Sequence, residues 1–285
     1  MSEQKNTVDE IRESEKLAET HYENFPVISF FIPKSKRKDV ALYYRFAREA
    51  DDIADEGDFT DSERLYLLDE YENALNKALN GEYKTPFWKE LALSIERNKL
   101  SPENYFNLLK AFKQDVIKKR YKTFDELKDY CRNSANPVGR FILELFQARD
   151  AESAAYSDAV CTALQLTNFY QDVSTDFKKS RIYIPLDEMK KFGVGENVFE
   201  KREKCDNFKK LMTFQVERTR EFFTEGKKLL PNLPKNLKLQ ITWTVKGGEA
   251  ILNKIEKLDY DVLNFRPKLS KYEFMILMIK SFVSK

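Results

Sequence analysis

The sequence predicts an all-α protein, and three observations carry that reading. Helix-breaking residues are sparse, with 8 Gly and 9 Pro among 285 residues. Hydrophobic residues make up 42% of the chain, enough for a substantial core. Between the breaks, the apolar positions recur at helical spacing. After a stretch with two prolines and a basic cluster, "FPVISFFIPKSKRK", a helical pattern runs over about 39–57 and stops at Gly57. Further helices fit about 62–79, 85–98, 102–119, 124–133, 138–148, 151–177, 201–229 and 234–258. The apolar segment "FMILMIKSFV" near the end is far shorter than the roughly 20 residues that span a bilayer. It predicts a last buried helix, with interfacial membrane contact as the alternative. No repeat, low-complexity linker or composition shift divides the chain, so residues 1–285 are expected to form one domain with a polar segment at 1–20.

Composition removes several function classes. With 49 basic and 47 acidic residues the net charge is +2, which gives no support for a nucleic-acid partner. Cys131, Cys161 and Cys205 are widely spaced with no CxxC, which argues against a disulfide framework or zinc site and for a reducing compartment. His21 is the sole histidine. The N-terminal stretch lacks the apolar run of a secretory signal, so a cytoplasmic location is expected, with peripheral contact at the inner membrane as a variant.

Two acidic stretches carry the chemistry. In "RFAREADDIADE" (residues 45–56), Asp51 and Asp55 lie one helical turn apart, where exposed like charges repel by roughly 0.2–0.5 kcal/mol. On a helical wheel Tyr44, Arg48, Asp51 and Asp55 fall within about 60°, beside a core side marked by Phe46, Ala47, Ala50, Ile53 and Ala54. Taken alone, this reads more readily as a solvated charged face than as a site. The second stretch, "QLTNFYQDVSTDFKKSRIYIP" (165–185), repeats the pattern: Gln165, Asn168, Asp172 and Asp176 fall within about 80°. Two such stripes facing a cavity would need cations, because burying unpaired charge costs several kcal/mol. Mg²⁺ suits this chemistry, since it binds through few carboxylates, keeps waters and completes its shell with substrate phosphates. Lys178, Lys179 and Arg181 follow the second motif and are candidates to hold phosphate oxygens, although a solvated helix-end role fits the two lysines better.

These residues resemble the head-to-head prenyl synthases, the squalene and phytoene synthase family, from His21 to about Ser270. "YYRFAREADDIAD" resembles the family's first aspartate motif with its upstream Tyr44 and Arg48. "YCRNSANPVGR" (130–140) is similar to a mid-chain element containing Tyr130. The second motif resembles its counterpart, followed by Arg181 and Tyr183, and "ILNKIEKLDYDVLNFRPKLS" is similar to a closing element ending in Arg266. The resemblance implies the isoprenoid synthase fold, with helices around a central cavity. It implies metal ligation by Asp51, Asp55, Asn168, Asp172 and Asp176, with Mg²⁺ as cofactor, Mn²⁺ as a substitute and no NADPH. It also implies substrate or diphosphate contacts by His21, Asn24, Phe25, Arg48, Tyr130, Gln165, Arg181 and Arg266, with Tyr44 and Tyr183 in the catalytic set.

Three departures from the family pattern choose a branch. "HYENF" puts Glu23 and Asn24 where phosphate-binding hydroxyls are common, Gln171 stands where a basic residue is common, and Gly248 stands where a cavity tyrosine is common. The chain is most similar to the bacterial branch acting on presqualene diphosphate. The resemblance then implies ionisation, carbocation rearrangement and water capture to hydroxysqualene in squalene or hopanoid biosynthesis. Gln165 and Asn168 would orient the water or a metal ligand, and aromatic faces such as Tyr44, Phe25, Tyr130, Phe169 and Tyr183 would stabilise cations. Expected partners are presqualene diphosphate or another prenyl diphosphate, with peripheral membrane contact and handover to neighbouring pathway enzymes.

Three alternatives remain. One is a synthase condensing two prenyl diphosphates to presqualene diphosphate, squalene or phytoene. Another, disfavoured, is a head-to-tail prenyltransferase, whose aspartate-rich motifs usually read DDxxD. The third is an inactive helical scaffold, disfavoured by two intact aspartate motifs.

Overall fold

The computed structural model describes residues 32–283. The protein is all-α, and no strand occurs among the described residues, where Arg120 and Ile182 form an isolated bridge. The helices are α1 (Lys34–Asp55), α2 (Asp61–Leu79), α3 (Pro86–Asn98), α4 (Glu103–Ile117), α5 (Phe124–Ser134), α6 (Asn136–Leu145) and α7 (Ala151–Gln171). They continue as α8 (Val173–Lys178), α9 (Leu186–Lys191), α10 (Asn197–Lys201), α11 (Asp206–Gly226), a 3₁₀ turn (Lys227–Asn232), α12 (Lys235–Lys257) and α13 (Lys271–Val283). Two compact units are present: one comprises residues up to Ile117 with Arg140–Arg149, the other Lys118–Gly139 with the chain from Asp150.

In the first unit, α1 is covered by α2, α3 and α4 around an aromatic core. Phe46 and Tyr105 are completely buried, and Tyr43 stacks on Phe141 with ring centroids 3.9 Å apart. The buried Asp39 carboxylate accepts hydrogen bonds from Ser94 Oγ (2.7 Å) and Arg97, so α1 is fixed to α3 by a satisfied polar contact. Helix α2 starts on a reciprocal cap in which Thr60 Oγ1 accepts from the Glu63 amide and the Glu63 carboxylate accepts from the Thr60 amide. The expected stop at Gly57 is present. Helix α1 ends at Asp55, and Gly57 adopts φ +75°, in the left-handed region that glycine enters without steric cost.

The second unit is organised on α7, against which α5, α11, α12 and the 3₁₀ turn all pack. Close approach to α7 depends on missing Cβ atoms. A Cβ at Gly226 would lie 2.9 Å from the Val160 backbone nitrogen, and one at Gly248 would lie 2.5 Å from Phe223 Cζ and 3.0 Å from Leu164 Cδ2. Position 248, where a cavity tyrosine is common in the resembled family, is therefore a packing position here.

The structure differs from the sequence reading in several places, and α1 begins at Lys34 rather than at about 39. The pattern over 151–177 is two helices, broken at Asp172, whose φ/ψ of −105°/12° is not helical. A single wheel across 165–176 consequently does not describe where Asp176 projects. The expected 201–229 helix starts at Asp206, after the separate short helix α10, and ends in a 3₁₀ turn containing Pro231. Helix α13 is only partly covered: Tyr272 is 67% and Met275 45% exposed. Lys254 and Ser270 bind the Glu273 carboxylate near its start and hold its pKa down to about 2. No described helix is long and apolar enough to cross a membrane.

Gly226 and Gly247 give a paired test of this packing. Ala is the better helix former by about 0.5–1 kcal/mol, but at 226 its Cβ meets backbone that cannot yield. At 247 the nearest atom, Phe274 Cε2, lies at an ordinary 3.6 Å. Urea unfolding should show Gly226→Ala destabilised by about 1–3 kcal/mol and Gly247→Ala stabilised by about 0.5–1 kcal/mol.

Candidate functional site

In the first unit, α1 carries Tyr44, Arg48, Asp51 and Asp55 on a half-buried edge, while Phe46, Ala50 and Ala54 are buried. Ala47 and Ile53, expected on the core side, are only half-buried. Arg48 gathers the carboxylates, with Nη2 2.6 Å from Asp52 Oδ1 and 2.9 Å from Glu56 Oε1, and Nη1 3.4 Å from Asp51 Oδ2. Burial opposes the Arg48 charge, but Asp52, Asp51 and Glu56 outweigh it, so its pKa rises. The Tyr44 phenol is also raised, first by burial and then by Asp51 and Asp52, with Arg48 opposing them.

Sequence reasoning missed three participants here: Asp52, Glu56 and Arg64. Asp52 lies at i+4 from Arg48, and that spacing was its available signal. Arg64 on α2 donates to the carbonyl oxygens of Ile53 (2.8 Å), Glu56 (2.8 Å) and Gly57 (2.7 Å). A cation placed on the terminal carbonyls of a helix both satisfies them and complements its dipole. Arg64 thereby fixes the end of the helix that presents the acidic motif.

In the second unit, Gln165, Asn168 and Asp172 are half-buried near the end of α7, and Phe169 and Tyr170 are buried. The Asp172 carboxylate is held by both sides of a guanidinium fork: Arg266 Nε donates to Oδ1 and Nη2 donates to Oδ2 at 3.0 Å. Asp176 lies in α8 and its carbonyl accepts from the Arg181 amide at 2.9 Å. Lys178 and Lys179 are exposed at the end of α8, in keeping with the helix-end role.

Tyr183 stacks on Phe169 with centroids 3.8 Å apart and an 8° interplanar angle, and Tyr130 flanks both rings at 5.9 and 6.1 Å. Tyr121 closes the cluster, 5.7 Å from Tyr183 and 5.5 Å from Tyr130. Tyr121 carries no motif signal in the sequence; it enters because the 180–187 segment runs beside residues 119–122. The amides of Ile182, Leu186 and Asp187 donate to the carbonyls of Lys119, Tyr121 and Lys122 at 3.0, 2.9 and 3.1 Å.

A buried network supports the same region. Tyr170 donates to Gln215 Oε1 (2.8 Å), Gln215 Nε2 donates to Glu188 (2.7 Å), and Arg218 forks onto Glu188 at 2.5 and 3.0 Å. Burial pushes the Tyr170 phenol upward, so it stays protonated and able to donate. The expected contacts His21, Asn24 and Phe25 lie outside the described residues.

The donor set fits a hard divalent cation in one respect: its oxygens come from partly exposed carboxylates and an amide, the ligand chemistry of Mg²⁺. Among the described residues no three acidic, histidine or cysteine side chains are gathered into a ligand-ready cage.

A squalene/phytoene synthase family profile matches residues 18–273, and the chain belongs to that family. It is 40% identical to the hydroxysqualene synthase of Sinorhizobium fredii over 174 residues, covering 60% of this chain and 58% of that protein. The hydroxysqualene synthase of Rhodopseudomonas palustris is 31% identical over 257 residues, covering 89% and 86% of the two chains. Among solved structures, squalene synthase HpnC from Alicyclobacillus acidocaldarius superposes with a TM-score of 0.82 at 36% identity, covering 88% of this chain and 96% of that one.

The Arg64 contacts generate a test. Arg64→Ala should leave the fold intact and free the end of α1. Amide exchange at Asp55 and Glu56 should accelerate about tenfold, the size expected for losing about 1.4 kcal/mol of charge-assisted hydrogen bonding.

Proposed function

We propose that the protein converts presqualene diphosphate to hydroxysqualene in isoprenoid biosynthesis, a carbon–oxygen lyase reaction that ends in water capture. The observation carrying this reading is the pairing of each acidic motif with its own arginine, Arg48 on Asp51 and Asp52, and Arg266 on Asp172. Carboxylates supply metal ligands, and guanidinium forks supply phosphate donors. The hydroxysqualene synthases at 31% and 40% identity support the choice of branch.

Asp51, Asp55, Asn168, Asp172 and Asp176 would hold Mg²⁺. When bound, the ion neutralises charge on the departing diphosphate. Arg48, Arg181 and Arg266 bind phosphate oxygens as the carbon–oxygen bond breaks and its electron pair leaves with diphosphate. The cyclopropylcarbinyl cation left behind rearranges to an allylic cation. The aromatic cluster of Tyr130, Phe169 and Tyr183 offers π-faces for positive charge, each contact worth about 0.5–2 kcal/mol. Gln165 and Asn168, half-buried on the same helix, orient the water whose oxygen adds to the cation and whose proton returns to solvent. Tyr183 keeps its place through the backbone ties of its segment.

Incubation with presqualene diphosphate and Mg²⁺ in ¹⁸O-labelled water tests the proposal. The expected product is a labelled alcohol, formed at a rate NADPH does not change, lost in EDTA and lowered at least about 10²-fold by Asp51→Asn. A hydrocarbon appearing only with NADPH would identify a squalene synthase. Faster condensation of farnesyl diphosphate than turnover of presqualene diphosphate would move the protein to the condensing branch.

A further inference from the structure

We infer that Arg266 is a positioning residue that makes cation binding at Asp172 depend on a diphosphate. The inference rests on the metal–diphosphate reading above and adds an order of events to it. Three observations carry it. Both oxygens of the Asp172 carboxylate are engaged by one edge of the Arg266 guanidinium. The pair is reachable from solvent, with side chains 33% and 24% exposed. Arg266 is also presented by an ordered turn: Val262 and Leu263 are buried, and the Asn264 side-chain amide donates to Asp261 Oδ1 at 3.0 Å and to the Arg202 carbonyl at 3.2 Å. Pro267 follows and biases residue 266 toward extended backbone.

The guanidinium edge that spans the two carboxylate oxygens matches two phosphate oxygens in the same way. Asp172 and a diphosphate therefore compete for it. While Arg266 holds Asp172, a divalent cation arriving there meets a fixed positive charge beside its ligand. A diphosphate that takes the guanidinium edge removes that charge from the carboxylate and exposes both oxygens. By linkage, the factor by which diphosphate favours the cation at Asp172 equals the factor by which the cation favours diphosphate. The consequence is an acidic motif that stays closed to metal until the group to be ionised is present.

The test is calorimetric titration of the full chain with Mn²⁺, alone and with inorganic pyrophosphate, with free Mn²⁺ corrected for its solution complex. In Arg266→Gln, Mn²⁺ alone should bind about tenfold tighter than in the wild type, within the usual range of coupling between sites. The enhancement by pyrophosphate should shrink by a similar factor. Adding Asp172→Asn to Arg266→Gln should remove the gain. Arg266→Lys keeps the charge without the fork and should fall between the two, with far-UV circular dichroism unchanged throughout. Equal Mn²⁺ affinities for wild type and Arg266→Gln, each with pyrophosphate-assisted binding intact, would overturn the coupling and leave the metal–diphosphate reading standing. No Mn²⁺ or pyrophosphate binding by the wild type would overturn both.

Discussion

A carboxylate held partly out of water needs a positive partner, and that requirement shapes both acidic motifs. Asp51 and Asp52 are only about 44% and 42% exposed, Asp172 only 24%, and each has an arginine within reach. The same solution recurs away from the motifs, where Arg97 meets the buried Asp39 and Arg218 forks onto Glu188. At the exposures of Arg48 and Arg266 such pairs contribute only about 0–1 kcal/mol each, so they do not hold the fold together. They set the resting charge of the motifs. An incoming anion finds guanidinium groups already beside the acids, and an incoming cation finds acids already countered.

What does hold the second motif is packing. Helix α7 is approached through glycines on α11 and α12, and the buried Tyr170 is tied through Gln215 to Glu188 and Arg218. These contacts fix the rotation of α7, and with it the direction in which Gln165, Asn168 and Phe169 project. Tyr183, stacked on Phe169, is fixed from its other side by hydrogen bonds between its segment and residues 119–122. In the first unit the corresponding role falls to Arg64 at the end of α1 and to Asp39 near its start.

Much of this was legible in the sequence, for stated physical reasons. Long break-free patterns give helices, and Gly57 marks the end of α1 because a left-handed residue favours glycine. The Tyr44–Asp55 stripe was readable because α1 is continuous and its wheel is valid throughout. The wheel failed at Asp172, where the backbone leaves the helix, since local periodicity does not register a single non-helical residue between two helical runs. Tyr121 and the Glu188–Arg218 pair were invisible because their roles come from contacts with residues distant in sequence, and Arg64 because its partners, 7 to 11 residues away, are backbone carbonyls that no side-chain pattern marks. Gly248 was noticed for the tyrosine it lacks, whereas the structure assigns it to packing against Phe223.

The central proposal is that Asp51 and Asp55 in the first unit, and Asp172 and Asp176 in the second, supply oxygen ligands to metal bound with diphosphate. Anomalous scattering from crystals grown with Mn²⁺ and inorganic pyrophosphate tests it most directly. The account predicts manganese peaks within about 2.0–2.3 Å of carboxylate oxygens from both motifs, with pyrophosphate completing the coordination. Manganese and pyrophosphate bound elsewhere, with both aspartate motifs still held by Arg48 and Arg266, would contradict it.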